Sequence, residues 1–443
     1  MGVSNWRGIR LVAGAAAVAL TVAACGGGGS GGGAPGQGGG GGGGIIVGTT
    51  DDVPTLDPAE CYTYGCSWIL NNVGNTLVTY KPGETSPSPD LAASKPKISE
   101  DGKTYTYTLK EGVTFHDGSK MTSEDVKFSL NRARWINHPD GASFLLNGID
   151  TIETPDPQTV VIKLKGPDIT FASKLAYPVA TILPSDGAYK SPPGPLAEDA
   201  PQAEKDSFLN QAFVGTGPYT LGEFRQNESI LLNAYKDYFG EPARNDKVLM
   251  SFFAESAQLQ AALQSGDIDV AFRHLTPEQR GSLKGNQNIK VIEGKGASIR
   301  YIVFNIAPSH PTISNVAVRK AIASAIDRER ISKNVMGGAV EPLFSMVPPL
   351  FDKANIPAFK DAYANAKPNQ FITAPVTIDL WHESSGHYGQ TETALAQEIA
   401  RMLEETGMFT VNVKNAEWAQ YSDNNAPAAT SPYPVYLLGW YPD

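Results

Sequence analysis

The sequence has few of the residues that enzyme and metal sites usually require. It contains three cysteines and six histidines, and its one Gly-x-Ser-x-Gly string, at residues 28–32, lies within a glycine-rich stretch and not at the strand-to-helix turn of a nucleophile elbow. His382 and His387 are five residues apart with Gly386 between them, whereas a zinc-binding helix needs a spacing of four. His116 and His274 have no companion at ligand spacing, so we expect hydrogen-bonded surface side chains at both. The sequence therefore predicts no catalytic residues, no metal site and no cofactor.

Positive charge is also scarce. The chain has 36 Lys and Arg residues against 46 Asp and Glu residues, a formal net charge of −10 and a pI near 5.2. Proteins that bind nucleic acid need a basic surface for the phosphates. We therefore expect no nucleic-acid partner.

Long apolar runs are missing except at the start of the chain. Residues 11–24 are largely apolar, but this run is shorter than the roughly twenty residues that cross a bilayer. Two arginines precede it, and its last three residues with Cys25 spell VAAC at 22–25. A basic start, a short apolar core and small residues before a cleavage point are typical of a secretory signal. Residues 1–24 are thus predicted to be a signal peptide, and VAAC resembles the bacterial lipobox, which predicts lipid on Cys25 and anchoring without a membrane span.

Glycine, in contrast, is abundant. Residues 26–44 are almost entirely Gly, and such a stretch cannot bury enough apolar area to offset the entropy of ordering it. A phosphate-binding glycine loop would also need a preceding strand, a lysine and a following helix. We therefore interpret 25–44 as a lipidated cysteine followed by a flexible tether.

Two cysteines remain after Cys25 is assigned to lipid. Cys61 and Cys66 enclose a short segment, and in an oxidising compartment a disulfide can close such a loop. Two buried thiols are the alternative, because spacing alone does not supply the geometry that a bridge needs.

Residues 45–443 exceed the roughly 250–300 residues that one hydrophobic core usually accommodates, so two lobes are expected. Strand and helix patterns alternate, which is typical of an α/β sheet. A proline-rich stretch at 178–201 is predicted to be a long surface loop. Thr122 and Asp125 are predicted to form a helix cap. Other predicted elements are strands at 45–47, 104–109, 160–164, 248–253, 268–272, 301–305, 376–380, 411–413 and 435–438, and helices at 67–77, 256–264 and 315–336.

Segments spread over 45–443 follow the order of one known family. The most specific is the nearly ungapped block at 99–129. Shorter matches are PTLDP at 54–58, NTLV at 75–78 with Tyr80, GTGPY at 215–219, Phe304 with Asn305, VRKAI at 318–322 and AIDR at 325–328. Together they resemble the bacterial extracellular solute-binding proteins of family 5, the dipeptide and oligopeptide receptors of ABC importers.

The resemblance implies a fold and a division of the chain. Members are α/β proteins of the two-lobed, hinged, type II periplasmic-binding-protein class, whose lobes close on the ligand. By that pattern lobe I is 45–303 and lobe II is 304–443. Family chains usually continue beyond the motif at 440–443, so lobe II is expected to be incomplete and its returning C-terminal segment missing.

The resemblance also implies ligand-binding residues. In peptide receptors of the family, a Trp-x-x-Asp motif supplies a carboxylate for the peptide's terminal ammonium, and Trp440, Tyr441 and Asp443 fall in such a motif. A buried ammonium is costly unless it is paired, which suits Asp443 to that role. The loop after the Leu-Asp-Pro segment lines the family's cleft, which points to Tyr62 and Tyr64.

The expected function is that of a receptor. It would capture peptides outside the cytoplasm, as a lipid-anchored monomer, and deliver them to the permease and ATPase of an ABC importer. Two alternatives stay open: a receptor of the same family for an oligosaccharide, a nickel complex or an opine, and a lipid-anchored sensor of a peptide signal. A secreted hydrolase would need a nucleophile or metal constellation that the sequence lacks.

Overall fold

The computed structural model describes residues 43–294, 296–349, 351, 360–363, 365–425 and 429–441. The predicted signal peptide, Cys25, most of the tether and Asp443 lie outside these residues. The strands are β1 (Gly44–Thr49), β2 (Val78–Thr79), β3 (Ser88–Pro89), β4 (Lys97–Ile98), β5 (Thr104–Thr108), β6 (Ile149–Asp156), β7 (Thr159–Leu164), β8 (Tyr219–Arg225), β9 (Ser229–Ala234), β10 (Lys247–Phe252), β11 (Val270–Phe272), β12 (Ile299–Phe304), β13 (Val376–Glu383), β14 (Phe409–Ala416) and β15 (Val435–Trp440).

Helices connect these strands. They are α1 (Tyr64–Val73), α2 (Ser123–Ile136), α3 (Phe171–Lys174), α4 (Gln202–Asp206), α5 (Ser256–Ser265), α6 (Pro277–Leu283), α7 (Pro311–Ser314), α8 (Val316–Ala325), α9 (Arg328–Asn334), α10 (Glu392–Glu404) and α11 (Trp418–Asn425). Among the helices of the described ranges, none is both long enough and apolar enough for a membrane crossing.

The first sheet has the strand order β11-β1-β10-β9-β8. The chain's first strand, β1, runs parallel to both β10 and β11, and α5 connects those two neighbours. Thr49 pairs with Phe252 on one side and with Phe272 on the other. Since parallel strands end at the same edge of a sheet, residues 50–52 and 272–274 lie together there, and we call them the first edge.

The second sheet has the order β12-β15-β13-β14. Its strand β13 is parallel to β14 and β15, whereas β12 is antiparallel to β15. The end of β13, the end of β15 and the start of β12 therefore meet at one edge. We call this the second edge, made of residues 299–300, 383–389 and 438–441.

A four-stranded antiparallel sheet, β4-β5-β7-β6, packs against α2. The predicted capping box at the start of α2 is confirmed, because the Thr122 N–H donates to Asp125 Oδ2 at 2.7 Å. Val126 and Leu130 on this helix are fully buried against the sheet. A core cluster thus lies under this sheet, and separate clusters lie under the first and second sheets.

Three sequence predictions need correction. The helix predicted over 315–336 is broken between α8 and α9, because the Asp327 carboxylate accepts the Arg330 N–H and caps a new helix. The helix predicted at 67–77 is α1, which starts earlier and ends before Gly74. The stretch predicted as a long surface loop is buried from Pro178 to Leu183, where its apolar side chains join the core.

Candidate ligand-binding site

A buried ion pair supports the loop that follows β1. Arg132 donates from Nη1 and Nη2 to the two carboxylate oxygens of Asp57, at 2.8 and 2.6 Å. The side chains are 1% and 0% exposed, and Arg132 also donates to the carbonyls of Lys190 and Phe208. A buried ion pair is tolerated only when its remaining donors and acceptors are satisfied, as they are here. This pair therefore fixes the start of the loop that leads to Tyr62.

A disulfide closes the same loop. Cys61 and Cys66 are bonded in the structure, with their Cα atoms 6.0 Å apart. The bridge joins the loop to the first turn of α1, whose N-cap is Thr63. Both cysteines are fully buried. Tyr62 and Tyr64 lie next to this constrained turn, so their backbone positions are well defined.

Aromatic residues from the two ends of the chain meet beside this loop. The Tyr62 and Trp440 rings lie 6.1 Å apart and edge to face, and the Tyr64 and Tyr441 rings lie 6.0 Å apart in the same manner. Tyr177 completes the group, 5.7 Å from Tyr62. We call these five residues the aromatic cluster. Edge-to-face packing is the favoured geometry for such rings.

Hydrogen bonds strengthen the aromatic cluster. The Tyr441 hydroxyl donates to the Tyr62 carbonyl at 2.9 Å and lies 3.3 Å from the Tyr177 hydroxyl. Burial raises the pKa of Tyr177, so this phenol stays protonated. Tyr64 and Trp440 remain 41% and 45% exposed. The cluster thus joins the first and second edges and leaves two rings open to a ligand.

The first edge carries an acid, an arginine and a histidine. Arg273 donates to both oxygens of Asp51, at 3.1 and 3.2 Å, and its guanidinium lies 4.0 Å from the centre of the Tyr64 ring. His274 Nδ1 lies 2.7 Å from Thr50 Oγ1. Arg273 and His274 both have left-handed backbone conformations, with φ of 65° and 54°. Consecutive non-glycine residues in that region are unusual and are characteristic of functional turns.

His274 is not the surface residue that the sequence predicted. Its side chain is 7% exposed, because the turn after β11 places it under the second edge. A side chain at Gly389 would contact the His274 ring at 4.0 Å. Burial lowers the pKa of His274, an effect that Asp51 opposes. The other lone histidine, His116, is hydrogen-bonded to the Gly217 carbonyl and partly buried.

The second edge is built around a buried glutamate. Glu383 ends β13 with 0% exposure. Its carboxylate accepts the backbone N–H groups of Ser385, Gly386 and Tyr388, at 2.8, 3.0 and 3.1 Å. The loop therefore wraps around this one side chain. His382, which precedes it, has its Nδ1 2.7 Å from the Glu383 carbonyl.

Arg300 is the second residue of β12. Its Nε and Nη2 donate to the Glu392 carboxylate, and Tyr388 covers its guanidinium at 3.9 Å. Gly439 faces Arg300 across the β12–β15 pair, and a side chain at Gly439 would clash with Arg300 Nη1. Burial raises the pKa of Glu392, Arg300 opposes that shift, and Glu383 adds to it.

His387 lies between these groups. Its ring stacks on Trp418, with centres 3.5 Å apart and planes 3° apart. Burial and the positive charges of Arg300 and Arg273 lower the pKa of His387 to about 3. The imidazole is therefore neutral at physiological pH.

Another group of possible ligands lies away from both edges. Glu60, His138 and Asp140 offer atoms within 4.8 Å of one another. However, His138 Nε2 lies 3.0 Å from Asp206 Oδ1, and its Nδ1 accepts the Asp140 N–H. Both ring nitrogens of His138 are thus engaged in hydrogen bonds.

The structure brings four of the five ligand residues predicted from sequence into contact, namely Tyr62, Tyr64, Trp440 and Tyr441. Polar side chains that the prediction did not include lie around them, namely Asp51, Arg273, His274, Arg300, His387 and Tyr388. One signal was available: several of these residues directly follow predicted parallel strands, where ligands commonly bind in α/β sheets.

Comparisons with known proteins identify the family of the chain. The family model for bacterial extracellular solute-binding proteins, family 5 (middle), matches residues 86–443. A Brucella ovis protein named for ABC-transporter peptide binding is 33% identical over 63% of this chain and 50% of its own length. The dipeptide-binding protein of Escherichia coli is 25% identical over 87% of this chain and 73% of that protein. The chain thus spans about half the length of the Brucella relative.

Solved structures show the same fold. A periplasmic binding protein from Helicobacter pylori, in complex with the peptide STSA, has a TM-score of 0.73 and 24% identity over 91% of this chain and 78% of its own. A binding protein from A. tumefaciens R10, in complex with agropinic acid, has a TM-score of 0.68 and 25% identity over 90% and 77%. The predicted fold class, mixed α/β of the two-lobed type II kind, is confirmed. The chain belongs to the bacterial extracellular solute-binding proteins of family 5.

Proposed function

We propose that this chain captures peptides outside the cytoplasm and delivers them to the permease of an ABC importer. The observation that supports this most is the aromatic cluster, in which Tyr441 of the second edge donates to the Tyr62 carbonyl at 2.9 Å and Tyr64 packs against Arg273 of the first edge. Ligands of α/β proteins bind at such edges, and rigid rings suit a solute with apolar and polar parts. Relatives named for peptide and dipeptide binding support the ligand class.

The proposal also covers the membrane anchor of the receptor and the closure of its two lobes. Residues 1–24 would be removed, and Cys25 would carry the lipid that anchors the tether. Lobe I would be 45–303 and lobe II would start at 304, with closure between them on binding. Replacing Cys25 with Ser should move the protein from the membrane fraction to the soluble fraction. Retention of the variant in membranes would contradict the anchor.

Within the site, we propose that Tyr62, Tyr64, Trp440 and Tyr441 contact the ligand and that Asp443 binds its ammonium. The role of Asp443 rests on the Trp-x-x-Asp motif, since the residue lies outside the described part of the chain. The receptor would do no bond chemistry, and purified protein should leave peptides intact.

Calorimetry on the full-length chain tests this function. Titration with an equimolar dipeptide pool should give saturable binding, and Asp443→Asn should weaken it roughly 10- to 100-fold, because a charged hydrogen bond contributes about 1.5–3 kcal/mol. Asp199→Asn, at an exposed position distant in sequence, is the matched control and should bind as wild type. If the wild-type chain binds no dipeptide, the peptide proposal is wrong.

A second ligand class has one observation in its favour. The A. tumefaciens structure that shares this fold holds agropinic acid. An opine carries carboxylate and polyol groups, and the arginines at both edges suit a carboxylate. Saturable binding of an opine, with no binding of the dipeptide pool, would favour this alternative.

A further inference from the structure

Three side chains that can hold a metal ion converge away from the two strand edges. One carboxylate oxygen each of Glu60 and Asp140, and one ring nitrogen of His138, lie within 4.8 Å of one another. Glu60 belongs to the loop between β1 and α1, whereas His138 and Asp140 follow the end of α2. Because the two segments are distant in the sequence, residue spacing does not reveal the group, and the sequence predicts no metal site.

The backbone brings the turn after α2 close to the Glu60 loop. Asn137 ends α2 in a left-handed conformation with φ of 46°, and the Gly141 N–H donates to the His138 carbonyl at 3.1 Å. A Cβ atom at Gly141 would lie 2.0 Å from the Ala59 carbonyl oxygen, so only glycine permits this approach. The turn that carries His138 is therefore fixed beside Glu60 by the backbone itself.

The His138 ring is held with its lone pair on the side of Asp140. The His138 side chain is 1% exposed, and its Nε2 lies 3.0 Å from Asp206 Oδ1, which also accepts from the Gln202 amide at 2.8 Å. An ionised carboxylate can only accept, so the ring proton is on Nε2 and the lone pair is on Nδ1. Nδ1 lies 3.9 Å from Asp140 Oδ2 and accepts the Asp140 N–H at 3.2 Å. A histidine that donates its other ring N–H to a carboxylate is characteristic of metal ligands.

The carboxylates of this group have no basic partner among the described residues. The nearby Asp57 is neutralised by Arg132 in the buried ion pair. No ion pair in the described part of the chain joins a lysine or arginine to Glu60, Asp140 or Asp206, and the contacts of Asp140 and Asp206 are with the His138 ring. A divalent cation would balance this charge, since partly buried carboxylates are costly unless they are paired.

We propose that Glu60, His138 and Asp140 bind a divalent transition-metal ion such as Zn²⁺. One imidazole and two carboxylates suit zinc, with water as the fourth ligand, whereas Mg²⁺ and Ca²⁺ prefer oxygen ligands alone. Tetrahedral ligand atoms are roughly 3.4 Å apart. The Asp140 side chain, which is 77% exposed, therefore turns inward, and the ion takes the place of the Asp140 N–H at Nδ1.

The ion would tie the loop between β1 and α1 to the end of α2. Glu60 lies close in the chain to Cys61 and Tyr62, so the metal would add a third restraint to a loop already held by the Asp57 ion pair and the disulfide. The site uses none of the residues proposed to contact the peptide. It therefore stands or falls separately from the proposed function.

Calorimetric titration of the full-length Cys25→Ser chain with Zn²⁺ tests the proposal. The serine removes the one thiol outside the disulfide, which would bind zinc itself. We expect saturable binding of one Zn²⁺ per chain in the presence of excess Mg²⁺. In the same background, Glu60→Gln and Asp140→Asn should each weaken binding at least 10-fold, and Asp199→Asn, at an exposed position, should leave it unchanged. Absence of saturable zinc binding, or equal affinity in the Glu60 and Asp140 variants, would overturn the site.

Anomalous diffraction at the zinc edge locates the ion without any variant at the site. Crystals of the zinc-bound Cys25→Ser chain should show a peak about 2.0–2.2 Å from His138 Nδ1 and from one oxygen each of Glu60 and Asp140. A peak only at other residues would mean an adventitious ion and would overturn the proposal. Asp206→Asn should weaken zinc binding roughly 10-fold, because Asp206 orients the ring without touching the metal. Unchanged zinc affinity with a lower Tm of the metal-free variant would show that Asp206 serves the fold alone.

Discussion

The two strand edges differ in how completely their buried polar groups are hydrogen-bonded. At the second edge, the Glu383 carboxylate accepts three backbone N–H groups, and the loop around it has its polar groups satisfied. At the first edge, Arg273 and His274 adopt left-handed conformations, and His274 Nε2 has no hydrogen-bond partner among the described residues. The Glu383 loop is therefore fully supported by its own hydrogen bonds, whereas the His274 ring, like Arg300 on β12, keeps a buried donor without a partner among the described residues.

The left-handed turn at the first edge also costs conformational free energy. A left-handed non-glycine residue costs about 1–3 kcal/mol and persists only when its surroundings hold it. The ion pair of Arg273 with Asp51, and the covering of Arg273 by Tyr64, provide that support. Strain and an unsatisfied donor at one place are characteristic of a site organised for a ligand rather than for stability.

The largest predicted effect concerns the buried ion pair that supports the loop between β1 and α1. Arg132→Ala should lower the free energy of unfolding by about 3–5 kcal/mol, because it leaves the buried Asp57 carboxylate without its partner. Urea denaturation of the full-length protein measures this change. Lys163→Ala removes an exposed pair with Glu153 and should cost less than about 1 kcal/mol. Similar losses in both variants would show that Asp57 and Arg132 do not hold the loop.

The second edge should respond to loss of its glutamate. Glu383→Ala should cost about 2–3 kcal/mol, because it removes the acceptor of three backbone hydrogen bonds. Glu417→Ala, an exposed glutamate in the next loop, serves as the control. Hydrogen exchange should accelerate at 385–388 in the first variant only. Unchanged exchange there would show that the Glu383 carboxylate does not hold the loop.

The disulfide offers a second test of the loop between β1 and α1. Replacing Cys61 and Cys66 with Ala should cost about 2 kcal/mol, since the loop they close is short and a short loop restrains the unfolded chain less. Denaturation midpoints measure this loss. Mass spectrometry of the unreduced wild-type protein should also find both thiols blocked to alkylation, and two free thiols would contradict the bridge.

The smallest predicted effect is a dependence on pH. The pKa of His387 is lowered to about 3 in the folded protein, against about 6.5 in an unfolded chain. The unfolded chain binds more protons between these values, so this contribution is complete above pH 6.5 and is lost as the pH falls toward 3. Between pH 7 and pH 5, wild type should lose about 1–2 kcal/mol more stability than His387→Gln. Equal losses would mean that the ring is not held neutral by burial.

Local sequence signals predicted much of the fold. Strand β5, strand β7 and the capping box of Thr122 with Asp125 each depend on a few neighbouring residues, and the structure has all of them. The break before α9 was missed, because Asp327 can serve equally within a helix or as its cap. The buried segment at 178–183 was missed because its prolines conceal any periodicity.

The candidate site was only partly predictable, because its residues come from distant segments. The family motifs indicated Tyr62 and Trp440, but Arg300 meets Gly439 only through the pairing of β12 with β15. His274 was predicted to lie on the surface, since no local pattern reveals that a second sheet covers it. Burial by distant elements cannot be inferred from one short segment.

Hydrogen exchange of the full-length protein, with and without a saturating dipeptide pool, tests the central claim most directly. We predict slower exchange at both edges, at 50–52, 272–274, 384–389 and 438–441, on ligand binding. A cavity of about 1240 Å³ beside β12, lined by Ile322, Leu395 and Ile399 among others, is the competing location. Protection confined to residues 316–346 and 395–399 of that cavity, with those four segments unchanged, would contradict a site formed where the two edges meet.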